Sequence, residues 1–210
     1  YYHERAITPF TREEAEFVRD SGVIRVGQLT GRDTFACRDD ETGNTSGIFV
    51  DLCNLIAQKS GLKFEYDFLP VGMRAVDWLD KTDGTLVAGV MFSRASNPSS
   101  KLARSDVAFK TSLAVIGRRG SAFDPEKAHK IAVPAGYISG RTRLSSLYPQ
   151  AKINNYDTNE ECLNAIVSGE ADFMLQNIYV ARNALQSPRF DSLQIFPVYQ
   201  IDEEMRFVTA

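Results

Sequence analysis

The chain reads Ser46-Gly47-Ile48-Phe49-Val50-Asp51-Leu52 at the start of an amphipathic stretch that continues to Ser60. Apolar residues recur there at helical spacing, and Gly61 follows as a residue type that commonly ends helices. A second helix followed by a short apolar strand is indicated at residues 159–175. Two such α/β units in 210 residues predict two lobes that face a cleft, where small molecules bind.

The composition limits the classes of function. Apolar residues make up 43% of the chain and charged residues 24%, as in ordinary globular proteins. The formal net charge is −3, and the Lys and Arg residues are scattered, so we expect no nucleic-acid partner. No apolar run approaches the roughly 20 residues of a membrane-spanning helix. We expect a soluble piece, which fits either a free protein or part of a longer anchored one.

Strands and helices alternate along the chain. Thr11 and Glu14 have the spacing of a capping box, which predicts a short lead-in helix. Residues 62–69 alternate between polar and apolar types and predict a half-buried strand, whereas residues 85–91 form a continuous apolar run that predicts a central strand. Further strands are predicted at 109–117 and 131–133. This order predicts an α/β protein with parallel-rich sheets.

Parallel sheets bind ligands beyond the carboxyl ends of their strands. Four stretches follow predicted strands in this way: Thr34–Ala36, Met91–Ser96, Gly136–Arg141 and Gln176–Tyr179. The candidate ligand-binding residues come from these stretches, and they are Phe35, Met91, Ser93, Arg94, Ile138, Ser139 and Asn177.

Each candidate has a functional and a structural interpretation. Arg94 could bind a carboxylate through two hydrogen bonds, or it could be an exposed loop residue. Ser139 lies in a glycine-containing turn that could bind an anion or could be an ordinary strand-to-helix turn. Asn177 could offer a donor and an acceptor to a ligand, or it could form a turn. Phe35 could supply an aromatic wall or belong to the core.

Cysteine and histidine chemistry is not indicated. The three cysteines, Cys37, Cys53 and Cys162, cannot all pair within the chain. A Cys37–Cys53 bridge is one alternative, and buried free thiols are the other. No Cys-x-x-Cys pair, metal-ligand spacing or catalytic triad pattern is present, so we expect no metal, no cofactor and no catalytic residues.

Several weak motifs follow one another in an order that resembles the family 3 extracellular solute-binding proteins. They are Val23-Ile24-Arg25-Val26-Gly27, then residues 47–52, then Ala88-Gly89-Val90-Met91-Phe92-Ser93, and finally residues 159–161 and 169–172. The resemblance extends from about Val23 to the end of the chain. It implies the type II periplasmic-binding-protein fold, in which two α/β lobes joined by a two-stranded hinge close on a ligand.

The resemblance also implies a division of the chain. The expected parts are a lead-in helix and linker at 1–22, lobe one at 23–110, lobe two at 111–204 and a returning hinge strand at 205–210. The family usually continues with helices that complete the first lobe, so we expect that completion to be missing here. Residues 8–14 resemble the linker that precedes such modules in membrane-bound sensor kinases and cyclic-dinucleotide signalling proteins.

The sequence departs from the amino-acid-binding members at three anchor positions. The arginine that holds the ligand carboxylate in those members corresponds to Ser96, and Arg94 lies two residues earlier. The threonine of the second lobe corresponds to Ile138, next to Ser139. The aspartate that accepts the ligand ammonium corresponds to the neutral Asn177, which removes a charge-assisted hydrogen bond worth about 1.5–3 kcal/mol.

These features predict an extracytoplasmic sensor domain that closes on a small polar molecule, such as an amino acid or a carboxylate, and signals to a membrane-linked output. One alternative is the substrate-binding receptor of an ABC importer, and another is a degenerate module that binds nothing. An enzyme of the dehydratase type that occurs on this fold is disfavoured, because the strand-end candidates include no carboxylate and no histidine.

Overall fold

The computed structural model describes residues 10–31, 33–70, 73–82, 85–92, 102–134 and 144–209. The first part contains α1 (Arg12–Asp20), β1 (Val23–Leu29), β2 (Cys37–Arg38), β3 (Thr45–Ser46), α2 (Ile48–Ser60), β4 (Lys63–Leu69), α3 (Ala75–Lys81), β5 (Leu86–Phe92) and β6 (Ala103–Arg104). The second part contains β7 (Phe109–Arg118), β8 (Lys130–Pro134), β9 (Lys152–Tyr156), α4 (Asn159–Ser168), β10 (Phe173–Asn177), α5 (Ile178–Ala184), a 3₁₀ turn (Pro188–Phe190) and β11 (Leu193–Thr209).

The described strands form one nine-stranded sheet and a small β2–β3 hairpin. The main order is β4-β1-β5-β11-β7-β10-β8-β9, with β6 on β11. Strands β4, β1 and β5 are parallel at one end, and β10, β8 and β9 are parallel at the other. Antiparallel pairs of β7 and β11 join these two groups. We call the first group with α2 and α3 half one, and the second group with α4 and α5 half two.

Several local elements form where the sequence predicts them. Helix α1 begins with a complete capping box, in which Glu14 N donates to Thr11 Oγ1 over 3.2 Å and Thr11 N donates to Glu14 Oε2 over 2.7 Å. Helix α2 ends at Gly61, which has a left-handed backbone conformation. Strand β5 lies centrally, and its residues Val87 and Ala88 are buried. These predictions are confirmed.

Two long strands cross between the halves. Residues 109–113 of β7 pair with residues 201–205 of β11, and residues 115–118 pair with 193–196. The return strand therefore begins at Leu193, earlier than the expected 205. Pro197 interrupts the sequence pattern of this strand, and it is tolerated because pairing is already irregular between Phe196 and Ile201. The proposed lobe boundaries at 110 and 204 remain predictions.

Each half has buried apolar clusters on both faces of the sheet. In half two, one cluster is built around Ile166 and Met174, and another around Leu113 and Phe173. In half one, one cluster includes Trp78 and Leu79. The remaining cluster of half one includes Ile24, Phe35, Phe49 and Met205 together with Val180 of α5, so α5 packs across the boundary between the halves. No helix in the described ranges is long and apolar enough to cross a membrane.

Candidate functional site

A cavity of about 470 Å³ lies between the two halves. The loop after β1 contributes one wall, and the carboxyl ends of β8, β9 and β10 contribute the other with α5. The described lining residues are Thr30, Gly31, Asp33, Thr34, Pro134, Asp157, Thr158, Asn159, Glu160, Leu163, Gln176, Val180, Asn183, Ala184 and Phe190. The cavity thus occupies the place where parallel α/β sheets bind ligands.

The loop after β1 is held by the start of α2. Ile48 N donates to Thr34 O over 3.2 Å, and Phe49 N donates to Phe35 O over 2.9 Å. These bonds satisfy helix amides that would otherwise lack partners. The Thr34 hydroxyl, although its oxygen is buried, has no hydrogen-bond partner in the described structure. Thr34 lines the cavity, but its hydroxyl oxygen exposes almost no surface there.

A chain of side-chain hydrogen bonds runs along the other wall. Asn159 Nδ2 donates to Gly31 O over 3.0 Å, which joins half two to half one. Gln176 Nε2 donates to Asn159 Oδ1 over 2.5 Å. The Gln176 Oε1 atom then accepts from Asn177 N over 2.7 Å. Gln176 is 3% exposed, so its end of the network is shielded from solvent, whereas the bond between Asn159 and Gly31 is exposed.

The start of α4 adds polar and acidic groups. Thr158 Oγ1 accepts from Glu161 N over 3.1 Å and caps the helix. The lining contains the carboxyl groups of Asp33, Asp157 and Glu160, and Glu160 forms an ion pair with Arg189. Among the described lining residues there is no Lys or Arg. This part of the wall therefore suits neutral polar or cationic groups better than a carboxylate.

Asn177 lies next to the cavity but is committed to other contacts. Its Oδ1 accepts from Tyr179 N over 3.0 Å, and this bond caps α5. Its Nδ2 donates to Thr111 Oγ1 over 2.9 Å. The residue is 1% exposed, and it is not among the lining residues. The side chain is a buried link between α5 and β7.

Phe35 belongs to the core of half one. It is 3% exposed, and its ring centroid lies 6.2 Å from that of Phe49 and 6.3 Å from that of Phe109. Met91 is in β5, where its backbone pairs with that of Met205. Ser93, Arg94, Ile138 and Ser139 lie outside the described residues. Their assignment to a ligand site remains a prediction.

Sequence reasoning identified some of the cavity wall and missed the rest. Thr34 and Gln176 lie within the post-strand stretches, although neither was singled out. Asp157 and Asn159 were missed as site residues because β9, which they follow, was not predicted. Strand β9 has few apolar residues, but its position before a Thr158 helix cap is a signal that could have identified the βα unit.

Neither a disulfide bridge nor a metal site is seen among the described residues. All three cysteines are free, so the Cys37–Cys53 bridge is absent, and Cys53 and Cys162 are buried. Within the described ranges, no group of three or more His, Cys, Asp or Glu side chains could hold a metal ion.

Several solved structures are similar in fold to this chain. The periplasmic VFT2 domain of Bordetella pertussis BvgS is 19% identical, with a TM-score of 0.77, covering 96% of this chain and 86% of that one. The arginine-bound form of truncated ArgBP from T. maritima is 21% identical, with a TM-score of 0.72 and coverages of 92% and 91%.

The ancestral amino acid-binding protein AncCDT-1, described as a precursor of cyclohexadienyl dehydratase, is 20% identical, with a TM-score of 0.71 and coverages of 93% and 85%. No protein-family model and no curated sequence matches the chain. The agreement in fold covers nearly the whole chain, and it confirms the predicted fold class. This chain has the α/β, two-lobed type II periplasmic-binding-protein fold.

Proposed function

We propose that this chain is an extracytoplasmic, solute-binding-like sensor domain that takes a small polar ligand between its lobes and signals to a membrane-linked output. The observation that carries the proposal is the cavity of about 470 Å³ that both halves line with polar groups. A ligand that contacts both halves favours their closed arrangement by its differential affinity for that arrangement.

The structural neighbours support a binding role. They include ArgBP in an arginine-bound form, an ancestral amino acid-binding protein and a periplasmic domain of BvgS. The last of these favours a sensor module, tethered to a membrane protein, over a free receptor of an ABC importer. Binding rather than catalysis is proposed because these neighbours are mostly described as binding proteins.

The described wall refines the ligand class. The acidic side chains of Asp33, Asp157 and Glu160 favour an ammonium or neutral amide end of a ligand. A carboxylate end of an amino-acid-like ligand would need the proposed Arg94 and Ser139. Asn177 uses its side chain to cap α5 and to contact Thr111, so it is not a direct ligand contact in this arrangement. This observation favours one second candidate, a degenerate module that binds nothing.

A thermal-shift screen against amino acids, amines, small carboxylates, purines and short peptides tests the proposal. A ligand at 100 times its dissociation constant stabilises the folded state by about 2.7 kcal/mol, which raises the melting temperature measurably. A saturable shift confirmed by calorimetry supports the solute-binding function. A folded domain that responds to none of these compounds supports the non-binding module instead.

A further inference from the structure

The contact between Asn159 and Gly31 joins the two halves through protein atoms. Asn159 belongs to α4 of half two, and Gly31 belongs to the loop after β1 of half one, 128 residues away in sequence. The donor is a side-chain amide and the acceptor is a backbone carbonyl. Because both groups belong to the protein, this bond needs no ligand in order to form.

The orientation of the Asn159 amide is fixed from the other side. Gln176 Nε2 donates to Asn159 Oδ1, which leaves Asn159 Nδ2 directed at Gly31 O. Gln176 is itself held by Asn177 N, at the end of buried strand β10. The contact between the halves is therefore connected to the core of half two. An isolated surface amide would lose more side-chain entropy on adopting this geometry, because nothing else would hold its rotamer.

A separate apolar contact already brings the halves together beside the hinge strands. Val180 of α5 is 6% exposed and belongs to the cluster with Ile24 and Phe49 of half one. The rings of Tyr179 and Phe109 lie 5.4 Å apart. With this side packed, the Asn159–Gly31 bond links the separate α4 and β1-loop walls of the cavity.

We propose that Asn159 is a latch between the two halves, which holds the cleft closed in the ligand-free protein. The ligand-free chain then prefers the closed arrangement, and a ligand changes only the strength of that preference. A ligand can change the equilibrium only by its differential affinity for the two arrangements. This inference does not depend on the proposed ligand-binding function, because it concerns protein contacts alone.

Double electron–electron resonance on the full 210-residue chain tests the latch without any ligand. Spin labels are attached at Gln58→Cys in half one and Lys152→Cys in half two, both exposed positions, in a Cys37→Ser background. The buried Cys53 and Cys162 stay unlabelled, which mass spectrometry verifies. The variants are Asn159→Ala and Asn159→Asp, with Asn155→Ala on the exposed side of β9 as the matched control.

We expect one short distance in the parent and the control. Asn159→Ala should add a longer distance and raise the ratio of open to closed molecules roughly two- to tenfold, as the loss of one net hydrogen bond predicts. Asn159→Asp should do the same, since it keeps the acceptor for Gln176 but cannot donate to Gly31. Circular dichroism checks that each variant is folded.

Three outcomes overturn the inference. The first is an unchanged distance distribution in Asn159→Ala. The second is a longer distance that already predominates in the ligand-free parent. The third is opening in Asn159→Asp but not in Asn159→Ala, which would assign the effect to repulsion from Asp33. A negative ligand screen would not contradict the latch, and an unchanged distance distribution would not contradict ligand binding.

Discussion

The Asn177 side chain donates to Thr111 Oγ1 over 2.9 Å, and both residues are at least nine-tenths buried. This bond ties the start of α5 to the crossing strand β7. Since α5 also places Val180 against half one, the bond helps to set how the two halves meet. A buried hydrogen bond of this kind specifies position because an unpaired alternative is costly.

Asn177→Ala should lower the free energy of unfolding by about 2–3 kcal/mol. The variant loses the cap of α5 and leaves the buried Thr111 hydroxyl without this partner. Asn177→Asp keeps an acceptor for Tyr179 N and should lose less. Urea unfolding measures both, with Asn155→Ala as the exposed control. A loss below about 0.5 kcal/mol in Asn177→Ala would show that the bond contributes little to stability.

Gly47→Ala should be strongly destabilising. Gly47 has φ of 119°, and an added Cβ would lie 2.6 Å from the backbone carbon and oxygen of Phe35. The substitution should cost at least about 2 kcal/mol more than Gly120→Ala, where φ is also positive but the Cβ meets nothing within 4 Å. Thermal and urea unfolding compare the pair, and equal losses would exclude the backbone clash as the cause.

Alkaline pH should destabilise the protein through its buried thiols. Burial raises the pKa of Cys53 to about 11 and that of Cys162 to about 12, from an ordinary value of 9.0. Above pH 9 the unfolded state releases these protons and the folded state keeps them. Stability is therefore full below pH 9 and falls between pH 9 and 11, by about 1.4 kcal/mol per pH unit for each thiol.

The measurement is urea unfolding at intervals from pH 8 to pH 11. A Cys53→Ala/Cys162→Ala variant carries a constant packing loss, but its stability should depend less steeply on pH than that of the parent. Parallel pH profiles for the two proteins would show that the thiols do not contribute the effect.

Asn183→Trp should abolish ligand binding while the protein stays folded. Asn183 is exposed on α5 and lines the cavity, so the indole can enter the cavity without overpacking the core. The test uses any compound that stabilises the parent in the thermal-shift screen, and calorimetry measures its affinity. Asn155→Trp is the control with the same substitution on β9, and it should bind normally. Unchanged affinity in Asn183→Trp would show that the ligand binds outside this cavity.

Local elements were the part of the fold that sequence reasoning predicted well. The capping box of Thr11 and Glu14, the stop of α2 at Gly61 and the alternating strand β4 all depend on residues close together in the chain. The edge strand β9 was missed because it pairs only with β8 and buries little apolar surface. Helix α5 was missed because its cap, Asn177, was interpreted as a turn or a ligand contact.

The sequence by itself determined the alternation of helices and strands, and with it the α/β class, because hydrophobic periodicity and capping act over a few residues. Only the tertiary structure decided which side chains meet. Thr111 and Asn177 are 66 residues apart, and Gly31 and Asn159 are 128 residues apart. Such contacts depend on how β7 and β11 join the two halves, and no local pattern encodes the distance between them.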